Sequence, residues 1–392
     1  MFVLIVRALA LNSVSINLIV PSLPSVTTAL ASDYDTIQFI ITLFLLANAV
    51  GFLFLGTLSD RIGRKPALVG GLILYATASL ACALATSSSF LLAARIPQGI
   101  GAASGVVVGQ AIVRDLYDRA RSASVIGYVA VAVGAAPMLA PLLGSLIDER
   151  FGWRAIFFLL LAAGTALAIA THLALPETRR TDARRRSVGE SLSDVGVLTR
   201  NRAFWAFTLV YTSSAGLFYS FFAGTAYASK YILSMSGTDY GYCFILVNLG
   251  YSLGAAATGR HARWIGVSRM IVIGGAIGLA STLMMALAFA LGAHGALVYF
   301  GPMFTINLAN GLMQSNAIAS VASVRPNLAG TATGLAGALQ VAFAAAATVS
   351  IGFRLAGIGR ELAFALVATG FAALAFGAGL WSQRLSPDGL RS

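Results

Sequence analysis

The chain has 392 residues, of which 58% are hydrophobic and 10% are charged, and its mean hydropathy is +0.84. Soluble globular proteins carry about 25% charged residues, so this composition excludes an ordinary soluble domain. The net charge of +12 would suggest nucleic acid as a partner in a soluble chain. Here the basic residues lie in short loops between apolar runs, so a nucleic-acid partner is not expected.

Runs of roughly 20 apolar residues recur along nearly the whole length, and each is long enough to cross a hydrocarbon core of about 30 Å. The runs are continuous rather than alternating, and a membrane span must satisfy its own backbone, so they predict an all-α membrane protein. Twelve transmembrane helices are predicted, in two six-helix halves: Phe2–Ser22, Thr36–Leu58, Ala67–Ala85, Phe90–Val113, Ala123–Ile147, Arg154–Leu175, Ala203–Ala228, Tyr240–Thr258, Trp264–Leu291, Gly295–Val321, Ala329–Gly352 and Glu361–Gln383.

The distribution of basic residues predicts the orientation of these spans. Of the 26 basic residues, nineteen fall in loops on the side of the amino terminus, five fall on the other side, and two lie within spans. Cytoplasmic loops are enriched in Lys and Arg, so both termini are expected in the cytoplasm. The predicted organisation is an amino-terminal half 1–176, a basic central loop 177–202, a carboxy-terminal half 203–383 and a cytoplasmic tail 384–392.

The strongest local pattern is the charged decapeptide from Gly56 to Lys65, which lies between two uncharged runs and is predicted as a short turn at the membrane surface. Gly56 is expected to permit close helix approach, and Gly63 a tight turn. Asp60 is expected to accept hydrogen bonds from a neighbouring helix amino terminus. Its basic neighbours are expected to pair with it or to bind anionic lipid: Arg61, Arg64 and Lys65. The equivalent loop of the second half is placed at residues 254–263, which are basic but lack an aspartate.

Two further segments stand out inside spans 4 and 5. Arg95 lies within span 4, where an arginine costs roughly 3 kcal/mol on insertion scales, so it is expected to face a partner or a watery cavity, with snorkelling to the surface as the alternative. Span 5 combines small residues, which let helices touch, with prolines, which bend the helix: Pro137, Pro141 and Gly144.

These segments resemble known motifs. The spacing G-x-x-x-D-R-x-G-R-K resembles motif A of the major facilitator superfamily, Arg95 to Ala103 resembles its motif B, and Ala136 to Gly144 resembles its motif C with two alanines replacing glycines. With the phrases RIPQGIGAA, VRDLYDRA, APMLAPLLG and FGWRAIF, the chain is similar to the Bcr/CflA drug-resistance branch. The likeness covers most of the first half closely and the second half loosely.

The resemblance implies a secondary transporter with two pseudo-symmetric halves, which exports small amphipathic organic compounds by alternating access and proton antiport. It implies that motif A closes the cytoplasmic side and that motif C marks exporters. Motif B is implied to act in coupling beside span 1, through Arg95, Gln98 and Gly99. The branch usually carries an aspartate where this chain has Asn17, which cannot carry a proton. Since none of the fourteen acidic residues lies near the middle of a span, the carrier of a coupling proton stays open.

The substrate cavity is implied to lie among spans 1, 4, 7 and 10. In span 10, Asn307, Asn310 and Gln314 share one helical face, and an amide stripe either lines a cavity or holds helices together. The other candidates are polar or aromatic residues of spans 1, 7 and 8, for which packing is the alternative to substrate contact: Asn17, Tyr211, Tyr219 and Asn248.

The chain shows no phosphate-binding loop, nucleophile triad or metal-spaced cluster, so no enzyme activity, cofactor or metal is expected. The expected partners are a small-molecule substrate, the lipid bilayer and protons, in a monomer of the bacterial inner membrane. Two alternatives stay open. One is transport, in either direction, of an anionic metabolite or siderophore-like chelator, suggested by the intramembrane cations Arg7 and Arg95. The other is a membrane sensor or scaffold without transport.

Overall fold

A computed structural model describes residues 2–116, 139–178, 195–325, 328–352 and 360–385. The chain divides into two compact units, Met1–Arg186 and Ser187–Ser392, and this boundary falls inside the predicted central segment. The described residues of both units form helices and no strand. The long helices are numbered α1 to α12 in chain order.

Unit 1 holds the first six of these helices. They are α1 (Phe2–Asn17), α2 (Phe39–Ile62), α3 (Arg64–Ala83), α4 (Ser88–Leu116), α5 (139–151) and α6 (Trp153–Ala174). Between α1 and α2 lie a short 3₁₀ helix and two short α-helices, Val20–Ser22, Leu23–Ala29 and Tyr34–Ile37. This interruption follows from Pro21 and Pro24, because proline lacks the amide hydrogen that a continuous helix needs.

Unit 2 holds the other six. They are α7 (Arg202–Tyr231), α8 (Gly237–Ile265), α9 (Val267–Ala290), α10 (Ala296–Val324), α11 (Ala329–Gly352) and α12 (Arg360–Leu385). In the described part of the chain, eleven helical segments are long and apolar enough to cross a membrane. The predicted span 5, Ala123–Ile147, lies outside the described residues except for 139–147.

The predicted turn over the decapeptide is wrong in extent. Helix α2 continues to Ile62, Gly63 alone interrupts the helix, and α3 begins at Arg64. The same arrangement recurs at Gly266, since α8 runs to Ile265 and α9 begins at Val267. The repeat of the decapeptide therefore lies around Gly266, and the predicted location at residues 254–263 is wrong because those residues are still helical.

The two units pack by the same scheme. In unit 1, α4 packs against α1, α2 and α3, and α3 packs against α6; in unit 2, α10 packs against α7, α8 and α9, α9 packs against α12, and α7 also packs against α11 and α12. Helices α4, α7 and α10 each pack against at least three other helices of their unit, which explains why many of their polar residues are buried. We call the ends of the units that carry Gly63 and Gly266 the glycine-turn ends, and the other ends the opposite ends.

Candidate functional site

Gly63 joins α2 to α3 with a backbone that favours glycine. Its φ of 107° and ψ of 155° lie in a region that side-chain-bearing residues rarely adopt. A Cβ atom at this position would lie 2.5 Å from Oε2 of Glu177. Gly56 differs, because a Cβ there would meet only Val107 Cγ1 at 3.6 Å, an ordinary contact. The expectation that Gly56 permits close helix approach is therefore wrong.

Arg64 is the centre of a charged network at this junction. Its guanidinium contacts Asp60 Oδ1 at 2.5 Å and Asp115 Oδ2 at 2.8 Å, and it donates a 2.7 Å hydrogen bond to Ser59 Oγ. These partners come from the end of α2 and the end of α4, while Arg64 itself starts α3. One side chain therefore ties three helix ends together, and its own exposure is only 13%.

Glu177, which follows α6, caps the amino terminus of α3. Its two carboxylate oxygens accept hydrogen bonds from the backbone amides of Arg64 (2.9 Å) and Lys65 (3.2 Å). An acid at this position interacts favourably with the positive end of the helix dipole. This is the role expected of Asp60, which instead pairs with Arg64 within unit 1 and has a side chain 59% exposed. We call Ser59, Asp60, Arg64, Asp115 and Glu177 the Arg64 cluster. Beside it, Arg61 is exposed and Lys65 is half-buried.

Arg95 is completely buried in α4, so the snorkelling alternative is wrong. Its Nε donates to the carbonyl oxygen of Ile40 at 3.1 Å, and Nη1 donates to Oε1 of Gln98 at 2.5 Å. The guanidinium carbon lies 4.3 Å from the ring centre of Phe44 and 5.8 Å from that of Phe157. Its Nη2 makes no hydrogen bond among the described residues.

Gln98 and Gly99 extend this arrangement towards α3 and α2. Nε2 of Gln98 donates to Ser79 Oγ at 2.8 Å, and a Cβ on Gly99 would lie 2.5 Å from the Phe44 carbonyl oxygen. The predicted motif B residues therefore form one buried set. The hydrogen bonds and ring contacts of the Arg95 side chain come from α4 itself, from α2 and from α6. They do not come from span 1, where the resemblance had placed its neighbour.

Span 1 is connected to α2 and α4 through asparagines. Asn48 of α2 is buried, and its Nδ2 donates to Asn12 Oδ1 at 2.7 Å and to the Gly99 carbonyl at 3.1 Å. Asn17 at the end of α1 is also buried and donates to the Ser13 carbonyl at 2.7 Å. Its Oδ1 makes no hydrogen bond within the described residues, which leaves one acceptor for a ligand or a water molecule.

The motif C segment is described in part. Pro137 lies outside the described residues, whereas Pro141 lies in α5, where its carbonyl accepts a hydrogen bond from Ser145 at 2.8 Å. A Cβ on Gly144 would lie 2.0 Å from the Leu18 carbonyl oxygen. Gly144 is therefore required for the contact of α5 with the end of span 1, beside Asn17.

In unit 2, the amide stripe of α10 is buried and uncharged. Asn307 Nδ2 makes a 3.4 Å hydrogen bond to the Met303 carbonyl, while its Oδ1 has no partner in the described part of the chain. Asn310 is 1% exposed, and neither atom of its amide is hydrogen-bonded to a described residue. Gln314 is half-buried. An unsatisfied buried amide costs about 1–3 kcal/mol, so Asn310 is a strong candidate for ligand contact.

The remaining predicted cavity residues lie on α7 and α8. Tyr211 is half-buried, with Gln340 as a hydrogen-bond partner and Tyr251 and Tyr219 nearby. Tyr219 packs edge-on against Phe218 and Phe222, with ring centres 5.3 and 5.9 Å apart. Asn248 is buried and donates to the Phe244 carbonyl within its own helix. Tyr219 thus belongs to an aromatic cluster, whereas Tyr211 is part of a polar one.

A model of the Major Facilitator Superfamily matches residues 6–349 of the chain. The chain belongs to this superfamily. It is a multi-pass membrane protein with the twelve-helix facilitator fold, and the resemblance to its Bcr/CflA branch is confirmed.

Other facilitators support this assignment. The chain is 30% identical to a chloramphenicol resistance protein of Pseudomonas aeruginosa, over 81% of this chain and 73% of the relative. It is 26% identical to a bicyclomycin resistance protein homolog of Haemophilus influenzae, over 84% and 83% of the two chains. The solved structure of a D-xylose-proton symporter has the same fold, with a TM-score of 0.78 at 14% identity over 98% of this chain and 97% of that one.

In this facilitator, the residues that the sequence analysis missed are the partners of the predicted ones. Ser59, Asp115 and Glu177 complete the Arg64 cluster, and Asn12, Asn48 and Ser79 complete the buried polar set of unit 1. A signal existed for the two acids, because Asp115 and Glu177 each lie two residues beyond the cytoplasmic end of a predicted span, spans 4 and 6. The contact of these acids with Arg64 could not be predicted from the sequence, because Asp115 and Glu177 lie 51 and 113 residues away from Arg64 along the chain.

Proposed function

We propose that this facilitator is a proton-linked antiporter of the bacterial inner membrane that exports small, amphipathic, drug-like compounds by alternating access. The observation that carries the proposal is that two relatives, each aligned over more than four fifths of this chain, are named for resistance to different antibiotics. Resistance to a compound is the expected outcome of its export. We further propose that the chain acts as a monomer.

The polar face of α10 supports an uncharged or weakly charged cargo. Helix α10 contains no charged residue, and its unpartnered groups are the Asn310 amide, which offers both a donor and an acceptor, and Asn307 Oδ1. A hydrogen bond to such an amide orients a ligand within otherwise apolar surroundings. We assign substrate contact to Asn310 and Asn307 in unit 2 and to Asn17 in unit 1.

We propose that the glycine-turn ends face the cytoplasm, since most of the basic loop residues lie at these ends. In this orientation the Arg64 cluster stabilises a cytoplasm-closed state.

The alternative substrate, an anionic metabolite or chelator, was suggested by the two cations Arg7 and Arg95. Arg7 is exposed and lies next to Ala8, which meets α4 at Gly105. Ten residues of helix, about 15 Å, separate Gly105 from Arg95, so the two cations do not form one anion site.

Expression in an efflux-deficient bacterial host tests this proposal. The wild type is expected to raise the inhibitory concentration of chloramphenicol, of bicyclomycin or of both, whereas Asp60→Ala is expected to abolish the increase while the protein still reaches the membrane. Asn310→Ala is expected to change the ratio of the two resistances rather than to abolish both. A wild type that confers no resistance to a broad antibiotic panel, while present in the membrane, contradicts drug export.

A further inference from the structure

A carboxylate at the opposite end of unit 2 connects two helix starts. Glu361 lies in the first turn of α12, and its side chain is 15% exposed. One carboxylate oxygen accepts a hydrogen bond from the hydroxyl of Tyr299, in the first turn of α10. The other lies 2.9 Å from Nδ1 of His294, in the loop before α10. Both oxygens are thus engaged by titratable side chains.

The three residues differ in their access to water. His294 is 56% exposed, whereas Tyr299 is 1% exposed and packs against Phe289 with ring centres 4.8 Å apart. On the α12 side, Phe364 lies one turn further along and packs against Phe221 of α7. The Glu361 carboxylate therefore lies at the boundary between an exposed imidazole and an apolar interior.

The described residues place few other titratable groups at this end. On α7 they are Tyr227, Lys230 and Tyr231, and on α8 they are Asp239, Tyr240, Tyr242 and Cys243. The adjacent turns of α9 and α11 carry none, and on α12 Arg360 precedes Glu361, its side chain being outside the described residues. Asp239 forms a capping box with Ser236 at the start of α8. Glu361 is thus the one acid among the described residues of unit 2 that does not cap its own helix.

Asp33 at the opposite end of unit 1 provides a contrast. The hydroxyl and the backbone amide of Thr36 both donate to its carboxylate, and these hydrogen bonds hold the pKa of Asp33 below its usual value. Such a carboxylate stays ionised in the neutral range. Glu361 instead shares its oxygens with an imidazole, the side chain whose charge ordinarily changes between pH 5 and 8.

We propose that His294, Glu361 and Tyr299, here called the Glu361 cluster, form the binding site of the coupling proton. This inference rests on the proposed antiport and supplies a proton carrier for it. A hydronium ion transfers its proton either to the imidazole of His294 or to a Glu361 oxygen, so that one O–H bond of hydronium breaks, one N–H or O–H bond forms, water is left behind and the charge of the cluster rises by one. Protonation of the carboxylate itself lowers the capacity of Glu361 to accept hydrogen bonds. The contact between the start of α12 and the start of α10 is then weakened.

Two measurements on purified protein test the proposal, with Glu361→Gln as the variant and Asp239→Asn as the matched control. In weakly buffered detergent, the wild type and the control are expected to take up one proton more than the double variant His294→Gln/Glu361→Gln between pH 8 and pH 5, since Glu361→Gln alone keeps an imidazole that can bind the proton. In proteoliposomes, Glu361→Gln is expected to lose at least tenfold in chloramphenicol transport driven by a pH gradient, while counterflow exchange without a gradient stays within twofold of the wild type.

His294→Gln provides a second variant at an exposed position, where misfolding is not a concern. It is expected to shift the pH of half-maximal gradient-driven transport, and an unchanged profile contradicts a role for the imidazole. Equal proton uptake by the wild type and His294→Gln/Glu361→Gln overturns the proposal outright, as does gradient-driven transport that survives in Glu361→Gln. If the wild type moves no chloramphenicol, the proposed export of this compound fails, while the proton-uptake measurement still decides the Glu361 cluster.

Discussion

Gly63 in unit 1 and Gly266 in unit 2 each form a one-residue junction between two long helices. Their backbone angles are similar, with φ and ψ of 107° and 155° at Gly63 and of 88° and 142° at Gly266. Each is preceded by another glycine at a distance of seven residues, Gly56 and Gly259. The two junctions therefore represent the same structural unit, repeated once in each half of the chain.

Their side chains differ. Unit 2 has Arg263 and Val267 where unit 1 has Asp60 and Arg64. The described acids of unit 2, Asp239 and Glu361, lie at its opposite end, so neither of them caps the start of α9. A Cβ on Gly266 would meet no atom within 4 Å, whereas one on Gly63 would displace the Glu177 carboxylate. The junction itself therefore requires only glycine. Among the described residues, the Arg64 cluster is found in unit 1 alone.

Substitution of each glycine by alanine gives the largest expected effect. Both variants incur backbone strain of about 1–3 kcal/mol, and Gly63→Ala additionally loses the Glu177 cap, worth about 1 kcal/mol. When thermal unfolding is measured in a single detergent, Gly63→Ala is expected to have a lower Tm than Gly266→Ala. The control Gly56→Ala is expected to have a Tm close to that of the wild type. A Gly56→Ala variant as unstable as Gly63→Ala contradicts this account of the junction.

Removal of the Arg64 side chain is the second test. Arg64→Met leaves the carboxylate of Asp115, which is 18% exposed, without its main partner, and an unsatisfied group of this kind costs about 1–3 kcal/mol. The matched change in unit 2, Val267→Met, removes no charge contact and is expected to cost less than about 1.5 kcal/mol. The measurement is the free energy of unfolding in denaturant.

A double-mutant cycle isolates the Arg64–Asp115 contact. Because Asp115→Asn removes the charge that Arg64→Met leaves uncompensated, the double variant is expected to be more stable than Arg64→Met alone. Strictly additive losses from the two substitutions mean that the pair contributes nothing to stability.

The apolar runs predicted the spans well because the bilayer itself sets their length. The predicted span Ala329–Gly352 is identical to α11, and those of α7, α10 and α12 differ from the helices by three residues or fewer at either end. The prediction failed where a helix leaves the hydrocarbon region. Helix α8 continues from Thr258 to Ile265 through polar residues. A helix outside the membrane needs no apolar surface, so the hydropathy of the sequence does not predict this extension.

The candidate site was predictable only where its contacts are local. The Asp60–Arg64 and Arg95–Gln98 pairs are four and three residues apart on helices, a spacing that places side chains on one face. The backbone acceptor of Arg95, the carbonyl of Ile40, lies 55 residues away, and Asp115 and Glu177 lie 51 and 113 residues from Arg64. Such contacts depend on how the helices pack, which a single sequence does not reveal.

The smallest expected effect comes from Glu177→Gln. The amide retains one acceptor oxygen for the start of α3 but loses the charge that interacts with the helix dipole, a difference of about 0.3–1 kcal/mol that salt screens. The difference in unfolding free energy between wild type and variant is therefore expected to shrink as salt rises, whereas Glu177→Ala remains less stable at every salt concentration. A loss that is the same for both variants and independent of salt means that the contact is not electrostatic. If transport falls far more than stability in Glu177→Gln, the acid acts on the balance between transporter states, a task for which the described residues around Gly266 provide no corresponding group.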